Sequence, residues 1–135
     1  MNKKVALAAV CTIVVLGIGI SVLQNMQISE KYSQVFTVDA TFYPDKKIIE
    51  ITYDDSTQKT KRVVLEILGM QTSFQKIFDS SSFVAQVPFD SVPQYGWRSM
   101  PVTLAVEHDE FGKIGIKTDV HNNGEPSSSL IFSRS

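Results

Sequence analysis

The sequence predicts an all-β domain that follows a single N-terminal transmembrane helix. Three observations support this prediction. Residues 5–29 contain no charged side chain, and Lys3 and Lys4 come directly before them. Beyond residue 30, apolar and polar residues alternate in several short runs, which is the period of a strand with one buried face. Clusters of proline, glycine, asparagine and aspartate separate these runs, as turns do.

The apolar run that begins at Val5 is long enough to cross a bilayer, which takes roughly 20 apolar residues. A cleaved signal peptide has a shorter apolar region of about 7–15 residues before its cleavage site. We therefore favour an uncleaved anchor at residues 1–29, with residues 5–28 in the lipid bilayer, over a removed signal. The lysines before the span predict a cytoplasmic N-terminus. The chain is thus expected to be a single-pass protein of the cell membrane, with an extracytoplasmic domain at residues 30–135.

Two small residues in the predicted span, Gly17 and Ser21, lie four positions apart. This spacing lets a second helix approach closely, so they are candidate helix contacts. Ordinary small residues in a lone anchor are the alternative. Cys11 is the only cysteine of the chain, and we interpret it as a buried apolar side chain. The outward domain therefore contains no disulfide.

The outward domain is slightly acidic. Without the two lysines before the span, 13 minus 2 leaves 11 basic residues against 14 acidic ones, a formal charge of −3. Nucleic-acid binding usually requires a basic surface that offsets the phosphate charge. No nucleic-acid partner is therefore expected. The one local basic cluster consists of Lys59, Lys61 and Arg62. We assign it to a solvated strand edge facing Asp54 and Asp55.

Seven strands are expected in the outward domain, because seven short runs have strand-like composition or alternation. They are predicted at residues 36–42, 49–53, 63–67, 83–89, 102–106, 114–120 and 130–132. The first three follow one another closely, so we expect them to form a meander. Pro88 lacks an amide proton, which places the end of the fourth strand at a sheet edge.

A short helix is predicted between residues 69 and 82. Three apolar residues there would share one helical face, and Thr72 and Gln75 have the spacing of a capping box. An additional strand from Ser73 to Phe78 is the alternative, because the segment is too short for its periodicity to distinguish a helix from a strand.

The fifth and sixth predicted strands form a hairpin whose register is testable. If Glu107 lies opposite Lys113, then His121 lies opposite Ser99. Eight residues then lie between His108 and His121 along the ladder, a separation of at least roughly 26 Å at about 3.3 Å per residue. The two histidines are therefore predicted not to share a metal ion within one chain.

The longest irregular connection, residues 88–101, contains three prolines and the candidate contact residues Tyr95, Trp97 and Arg98. Tyrosine, tryptophan and arginine are enriched at the energetic centres of protein interfaces, so these three residues are candidate protein contacts. In the alternative, Trp97 closes one end of the core and Arg98 covers it. The usual burial of a single tryptophan favours that alternative.

No catalytic, nucleotide or metal motif of useful specificity is present. We therefore expect no enzymatic activity, no cofactor and no small-molecule substrate, and we assign no catalytic or metal-binding residue. Two alternatives stay open: an extracytoplasmic protein that handles copper or zinc, with His108 or His121 paired with ligands from another chain, and a hydrolase with an atypical site.

The run Phe83-Val84-Ala85-Gln86-Val87-Pro88, the run Pro101-Val102-Thr103-Leu104-Ala105-Val106 and the D-x-x-G turn from Asp109 to Gly112 resemble immunoglobulin-like and fibronectin type III-like β-sandwiches. The resemblance covers residues 34 to about 133 and implies an antiparallel, seven-stranded sandwich. The chain departs from antibody-type domains because it lacks their two inter-sheet cysteines, and the predicted short helix is not a standard element. This architecture serves many functions. Within it, we expect a non-catalytic protein-contact module or an accessory subunit of a membrane complex.

Overall fold

The computed structural model describes residues 30–70 and 74–134. The chain divides into two compact units, Met1–Tyr32 and Ser33–Ser135, and residues 30–35 are helical. In the described part of the chain, no helix has the length and apolar character that a membrane crossing requires. The predicted span at residues 5–28, with its candidate helix contacts Gly17 and Ser21, lies outside the described residues.

The second unit is mostly β, as predicted. The strands of the described residues are β1 (Phe36–Tyr43), β2 (Ile48–Asp55), β3 (Thr60–Ile67), β4 (Phe74–Phe78), β5 (Ser82–Pro88), β6 (Val102–His108), β7 (Gly112–Thr118), β8 (His121–Asn122) and β9 (Ile131–Arg134). They form one sheet in the order β5-β2-β1-β8 and another in the order β4-β3-β6-β7-β9. Neighbouring strands are antiparallel except for the parallel pair of β1 and β8. Nine strands are thus found where seven were predicted, and β4 and β8 are the additional two.

The core consists of the alternate residues that each strand turns inward. In β2, Ile49, Ile51 and Tyr53 are fully buried, and the residues between them are half-buried or exposed. Phe36 of β1 meets His108 of β6 edge-on, with ring centroids 5.6 Å apart, so the two sheets contact each other through these faces in a sandwich-like arrangement. Each large apolar side chain buried in this way contributes about 1.5–3 kcal/mol.

The predicted meander of the first three strands is wrong. β2 pairs with β1 and β5, whereas β3 lies in the other sheet between β4 and β6. The turn after β2 explains the crossing, because the Asp55 carboxylate accepts hydrogen bonds from the amides of Thr57 and Lys59. The chain is thereby turned away from β2 before it can form a hairpin with it.

The predicted helix between residues 69 and 82 is also wrong, and the alternative strand is the one found. β4 adds to the edge of β3, with Val63 opposite Phe78 and Ile67 opposite Phe74. Ile77 is 57% exposed, while the ring of Phe78 stacks on Phe83 with centroids 3.8 Å apart. These neighbours face opposite ways, as in a strand. The proposed helix cap at Thr72 lies outside the described residues.

The hairpin register is confirmed, since Glu107 lies opposite Lys113. The predicted extension of this ladder to the pair of Ser99 and His121 is wrong. The ladder ends at the pair of Val102 and Thr118, and His121 pairs with Thr41 of β1 in the other sheet instead of lying opposite Ser99. Pro101 has no amide proton to continue the ladder, and the chain crosses between the sheets directly after β7.

Candidate functional site

The connection between β5 and β6, residues 89–101, is called the contact loop below. It is fastened at both ends by backbone hydrogen bonds. The Phe89 amide donates to the carbonyl of Lys47 over 2.9 Å, and the Leu68 amide donates to the carbonyl of Pro101 over 3.0 Å. Within the loop, the Met100 amide donates to the Trp97 carbonyl at the end of a 3-10 turn. The ends of the contact loop are therefore attached to the β1–β2 turn and to the end of β3, and the loop itself contains a hydrogen-bonded turn.

Trp97 attaches the middle of the contact loop to the core. Its half-buried ring lies 5.2 Å from the ring of Phe42 and 5.9 Å from that of Phe89, measured between centroids. Its indole nitrogen donates a 3.0 Å hydrogen bond to Oδ1 of Asn122. Trp97 thus lies against the sheet of β1 and β8, whereas its neighbour Arg98 is exposed.

On one side of Trp97, the contact loop presents apolar side chains to solvent. Tyr95 is 82% exposed and Val92 is 46% exposed. Beside Tyr95 lies a pocket of about 720 Å³ whose lining includes Gly69, Met70, Phe89, Pro93 and Met100. An exposed aromatic ring next to an apolar pocket is typical of a surface that receives another protein.

Gly69 allows the contact loop to press against the end of β3. Its φ of +82° is a conformation that other residues rarely adopt, and a Cβ atom there would overlap the backbone carbonyl oxygen of Ser99. Met100, the residue after Ser99, is buried. The position of the pocket wall therefore depends on the absence of a side chain at residue 69.

On the other side of Trp97 is a second pocket of about 570 Å³. Arg98, Asp119, His121 and Glu125 line it, together with the serines at 127–129. The structure thus separates two of the predicted contact residues, because Tyr95 borders the apolar pocket and Arg98 borders this charged one. Trp97 lies between them.

His121 is held at the second pocket by Asp39 and its own backbone. Nε2 lies 2.7 Å from Oδ1 of Asp39, and Nδ1 lies 2.9 Å from the carbonyl oxygen of Asn122. Each ring nitrogen thus lies within hydrogen-bond distance of an oxygen atom. Burial raises the pKa of Asp39, but hydrogen bonds from Thr41, His121 and Ser127 outweigh burial, so this pKa lies below its ordinary value.

His108 has a different environment, in the core. Its Nε2 lies 3.1 Å from Oδ2 of Asp55, and its Nδ1 accepts hydrogen bonds from the amides of Glu110 and Phe111. This is the pattern of the neutral ring with its proton on Nε2. Burial raises the pKa of Asp55, but hydrogen bonds from Thr57, Thr60 and the backbone outweigh it and hold that pKa below its ordinary value.

No known protein family, curated protein or solved structure matches this chain. The chemistry of the site is therefore judged from its own groups. In His108 the lone pair of Nδ1 is taken by two amides, and in His121 each nitrogen lies within hydrogen-bond distance of an oxygen atom. Either ring would have to break these bonds to bind a metal ion or to act as a base. Among residues 30–70 and 74–134, no three His, Cys, Asp or Glu side chains are placed to hold a metal ion.

The basic cluster near residue 60 makes exposed ion pairs. Lys61 lies 3.0 Å from Asp109, and Lys59 lies 3.4 Å from Glu110, so both lysines reach the tip of the β6–β7 hairpin. Arg62 lies 3.4 Å from Asp79. Exposed pairs of this kind contribute about 0–1 kcal/mol each. These acidic partners differ from the predicted ones, Asp54 and Asp55.

Sequence reasoning missed both aspartates that hold the histidines. A signal for Asp55 was present, because it falls on the same side of β2 as Ile51 and Tyr53 and so faces inward. The sequence did not show which histidine each aspartate meets, since both contacts depend on where the chain crosses between sheets.

Proposed function

We propose that this protein is a membrane-anchored, non-catalytic immunoglobulin-like β-sandwich on the outer side of the cell membrane, and that its contact loop binds another protein. In this role it serves as a contact module or as an accessory subunit of a membrane complex. The observation that carries the proposal is the exposure of Tyr95, at 82%, on a loop that is otherwise fastened to the core.

A fastened loop is suited to binding because it is already ordered. Association costs about 0.5–1.5 kcal/mol for each flexible side chain that becomes fixed, and loop ordering adds to this cost. Here the 3-10 turn, the Trp97 indole bond and the buried Met100 hold the loop before a partner arrives. Tyr95 then offers a large apolar surface with a polar hydroxyl, a combination common at interfaces.

Support for the remaining parts of the proposal comes from the sequence and the sheet arrangement. Two sheets with buried inner faces suit an immunoglobulin-like or fibronectin type III-like sandwich, and the parallel pair of β1 and β8 is a departure from its purely antiparallel form. The uncharged run at residues 5–28, preceded by two lysines, supports a single span with the β domain outside.

The contact loop can be tested by photo-crosslinking in intact cells. The full chain would carry a benzophenone amino acid in place of Tyr95, or, as a matched exposed control, in place of Lys113 on the β6–β7 hairpin. We expect one protein to be crosslinked from position 95 and not from position 113. Equal labelling from both positions, or none from position 95, contradicts the proposal.

The crosslinked protein then allows an affinity measurement. Tyr95→Ala is expected to weaken its binding to the full chain at least about tenfold, as loss of an aromatic interface centre does. Lys113→Ala should leave the affinity unchanged. Because Tyr95 is almost fully exposed, both variants should unfold at the same urea concentration as the native chain, which separates lost binding from lost folding.

A further inference from the structure

The two sheets end in four edge strands, β4, β5, β8 and β9. Natural edge strands commonly carry charged residues that prevent pairing with another chain. Two of the four follow this rule within the described residues, with Lys76 in β4 and Arg134 in β9, and β8 is only two residues long. β5 contains no charged residue at all.

The open side of β5 presents backbone groups for pairing. The bond from the Asp55 amide to the Ser81 carbonyl and the bond from the Phe89 amide to the Lys47 carbonyl flank the ladder with β2. Because these bonds alternate along an antiparallel strand, the odd-numbered residues of β5 face β2. The amides and carbonyls of Ser82, Val84 and Gln86 therefore point to the open side, and those of Ser82 already bond the hydroxyl of Ser80.

Pro88 limits this edge at one end. Its position confirms the prediction that this proline lies at a sheet edge, since β5 is the last strand of its sheet. It falls on the open side, where its missing amide proton costs no bond to β2. Any strand that adds to β5 gains most hydrogen bonds if it stays between Ser82 and Gln86.

We infer that β5 pairs antiparallel with β5 of a second copy of this chain, about a two-fold axis at Val84. The strand is self-complementary about that residue. Val84 meets Val84 of the second copy, and Ser82 meets Gln86. On the inner face, the large ring of Phe83 lies opposite the small side chain of Ala85. A register centred on Gln86 is worse, because it places Pro88 opposite Val84 and leaves the Val84 carbonyl without a donor.

The surface around Val84 is apolar enough to be covered by such a pairing. The Val84 side chain is 61% exposed on the outer face of its sheet. Phe83 is half-buried and stacks on Phe78 of β4, so the second copy would cover the open sides of both rings. On β2, the charged residues opposite β5 are Glu50, which contacts Gln86, and Asp54, which pairs with Ser82. Lys76 of β4 lies over the Phe78 ring. None of the three lies on β5.

Disulfide crosslinking of the full chain in membranes tests the axis directly. In a Cys11→Ser background, Val84→Cys places one thiol in each copy at the two-fold axis. Residues opposite each other in a hydrogen-bonded pair have Cα atoms about 5.5 Å apart, which suits a disulfide. The matched control is Ile131→Cys on β9, because Ile131 is 62% exposed. We expect a covalent dimer from Val84→Cys alone; equal dimer formation from both positions, or none, overturns the inference.

Sedimentation of the full chain in detergent gives the second measurement. Val84→Lys brings two ammonium groups together at the axis and should weaken dimerisation by about tenfold or more, while Ile131→Lys should not. Gly17→Leu reports on association through the predicted span. A dimer that survives Val84→Lys but is lost in Gly17→Leu overturns the inference, as does crosslinking of Val84→Cys to a different protein only. Unchanged Trp97 fluorescence in Val84→Lys shows that the fold is intact.

Discussion

His108 and His121 each contact an aspartate, yet the Nδ1 atoms of the two rings have different partners. Two amides donate to Nδ1 of His108, whereas Nδ1 of His121 faces a carbonyl oxygen. The first pair is fully enclosed by the core, and the second borders a pocket. At the scale of single residues, both pairs therefore act first as connections between distant strands: Asp55 to β6, and Asp39 to β8.

Asp55→Asn is expected to destabilise the domain by about 2–4 kcal/mol near pH 7. Oδ2 of Asp55 accepts from the Lys59 amide, the Thr60 hydroxyl and His108, and an amide NH₂ in its place would face these donors. Buried hydrogen bonds to a charged group contribute about 1.5–3 kcal/mol each, and unpaired donors add a penalty. Urea unfolding followed by the fluorescence of Trp97, the only tryptophan, measures the loss.

The pH dependence of this loss has a defined sign. The pKa of Asp55 in the folded protein lies below its ordinary value of 3.8, so its contribution to stability is complete above about pH 4 and is lost as the pH falls through the folded pKa. The difference between the native chain and Asp55→Asn should therefore shrink at pH 3. Asp54→Asn, at an exposed neighbour, should change stability by less than about 0.5 kcal/mol. A constant difference from pH 7 to pH 3 would contradict this account.

At the scale of elements, the contact loop depends on the end of β3. Gly69→Ala is expected to destabilise the protein and to move the loop, because the new methyl group overlaps the Ser99 carbonyl. Gly124→Ala is the matched control, since Gly124 also has a positive φ but has no atom within 4 Å of the added Cβ. The conformational strain alone costs about 1–2 kcal/mol.

The difference between these two glycine variants isolates the overlap with the contact loop. Urea unfolding should show a larger loss for Gly69→Ala than for Gly124→Ala, and binding through Tyr95 should weaken only in Gly69→Ala. Equal losses of stability with unchanged binding would mean that the loop is not positioned by Gly69.

The sequence predicted the elements whose pattern is local and missed those that depend on distant neighbours. β1, β2 and the β6–β7 register follow from alternation and turn residues, which act within a few positions. β4 was predicted as a helix because three of its apolar residues would share a helical face and Thr72 and Gln75 have capping-box spacing. Pairing with the edge of β3 decides its conformation instead. β8 is only two residues long, and it exists because Asp39 and Thr41, some 80 residues earlier, hold His121.

The candidate site was predicted in the same uneven way. The irregular composition of residues 88–101 indicated the contact loop, and residue type indicated Tyr95, Trp97 and Arg98. The sequence did not predict that Tyr95 and Arg98 border different pockets. The position of Trp97 between them depends on its hydrogen bond to Asn122 of β8, which is 25 residues away in sequence.

At the scale of the whole molecule, the predicted location is testable in intact cells. We expect the full chain in the membrane fraction, with its β domain digested by a protease added outside. Replacing Lys3 and Lys4 by glutamine removes the flanking charge and should reduce the digested fraction, since flanking lysines favour the cytoplasmic side. Recovery of a shortened chain from the medium, or full protection of the domain, would contradict this arrangement.

β1 is the first strand among the described residues, and yet it lies inside its sheet, between β2 and β8. If a pulling force acts on the domain through the residues before Phe36, as it would in a tethered protein, it acts first on β1. That strand is hydrogen-bonded on both sides. The hydrogen bonds of β1 to β2 and to β8 must then break together before β1 can leave the sheet. This placement predicts a domain that resists mechanical unfolding when the force is applied at its N-terminal end.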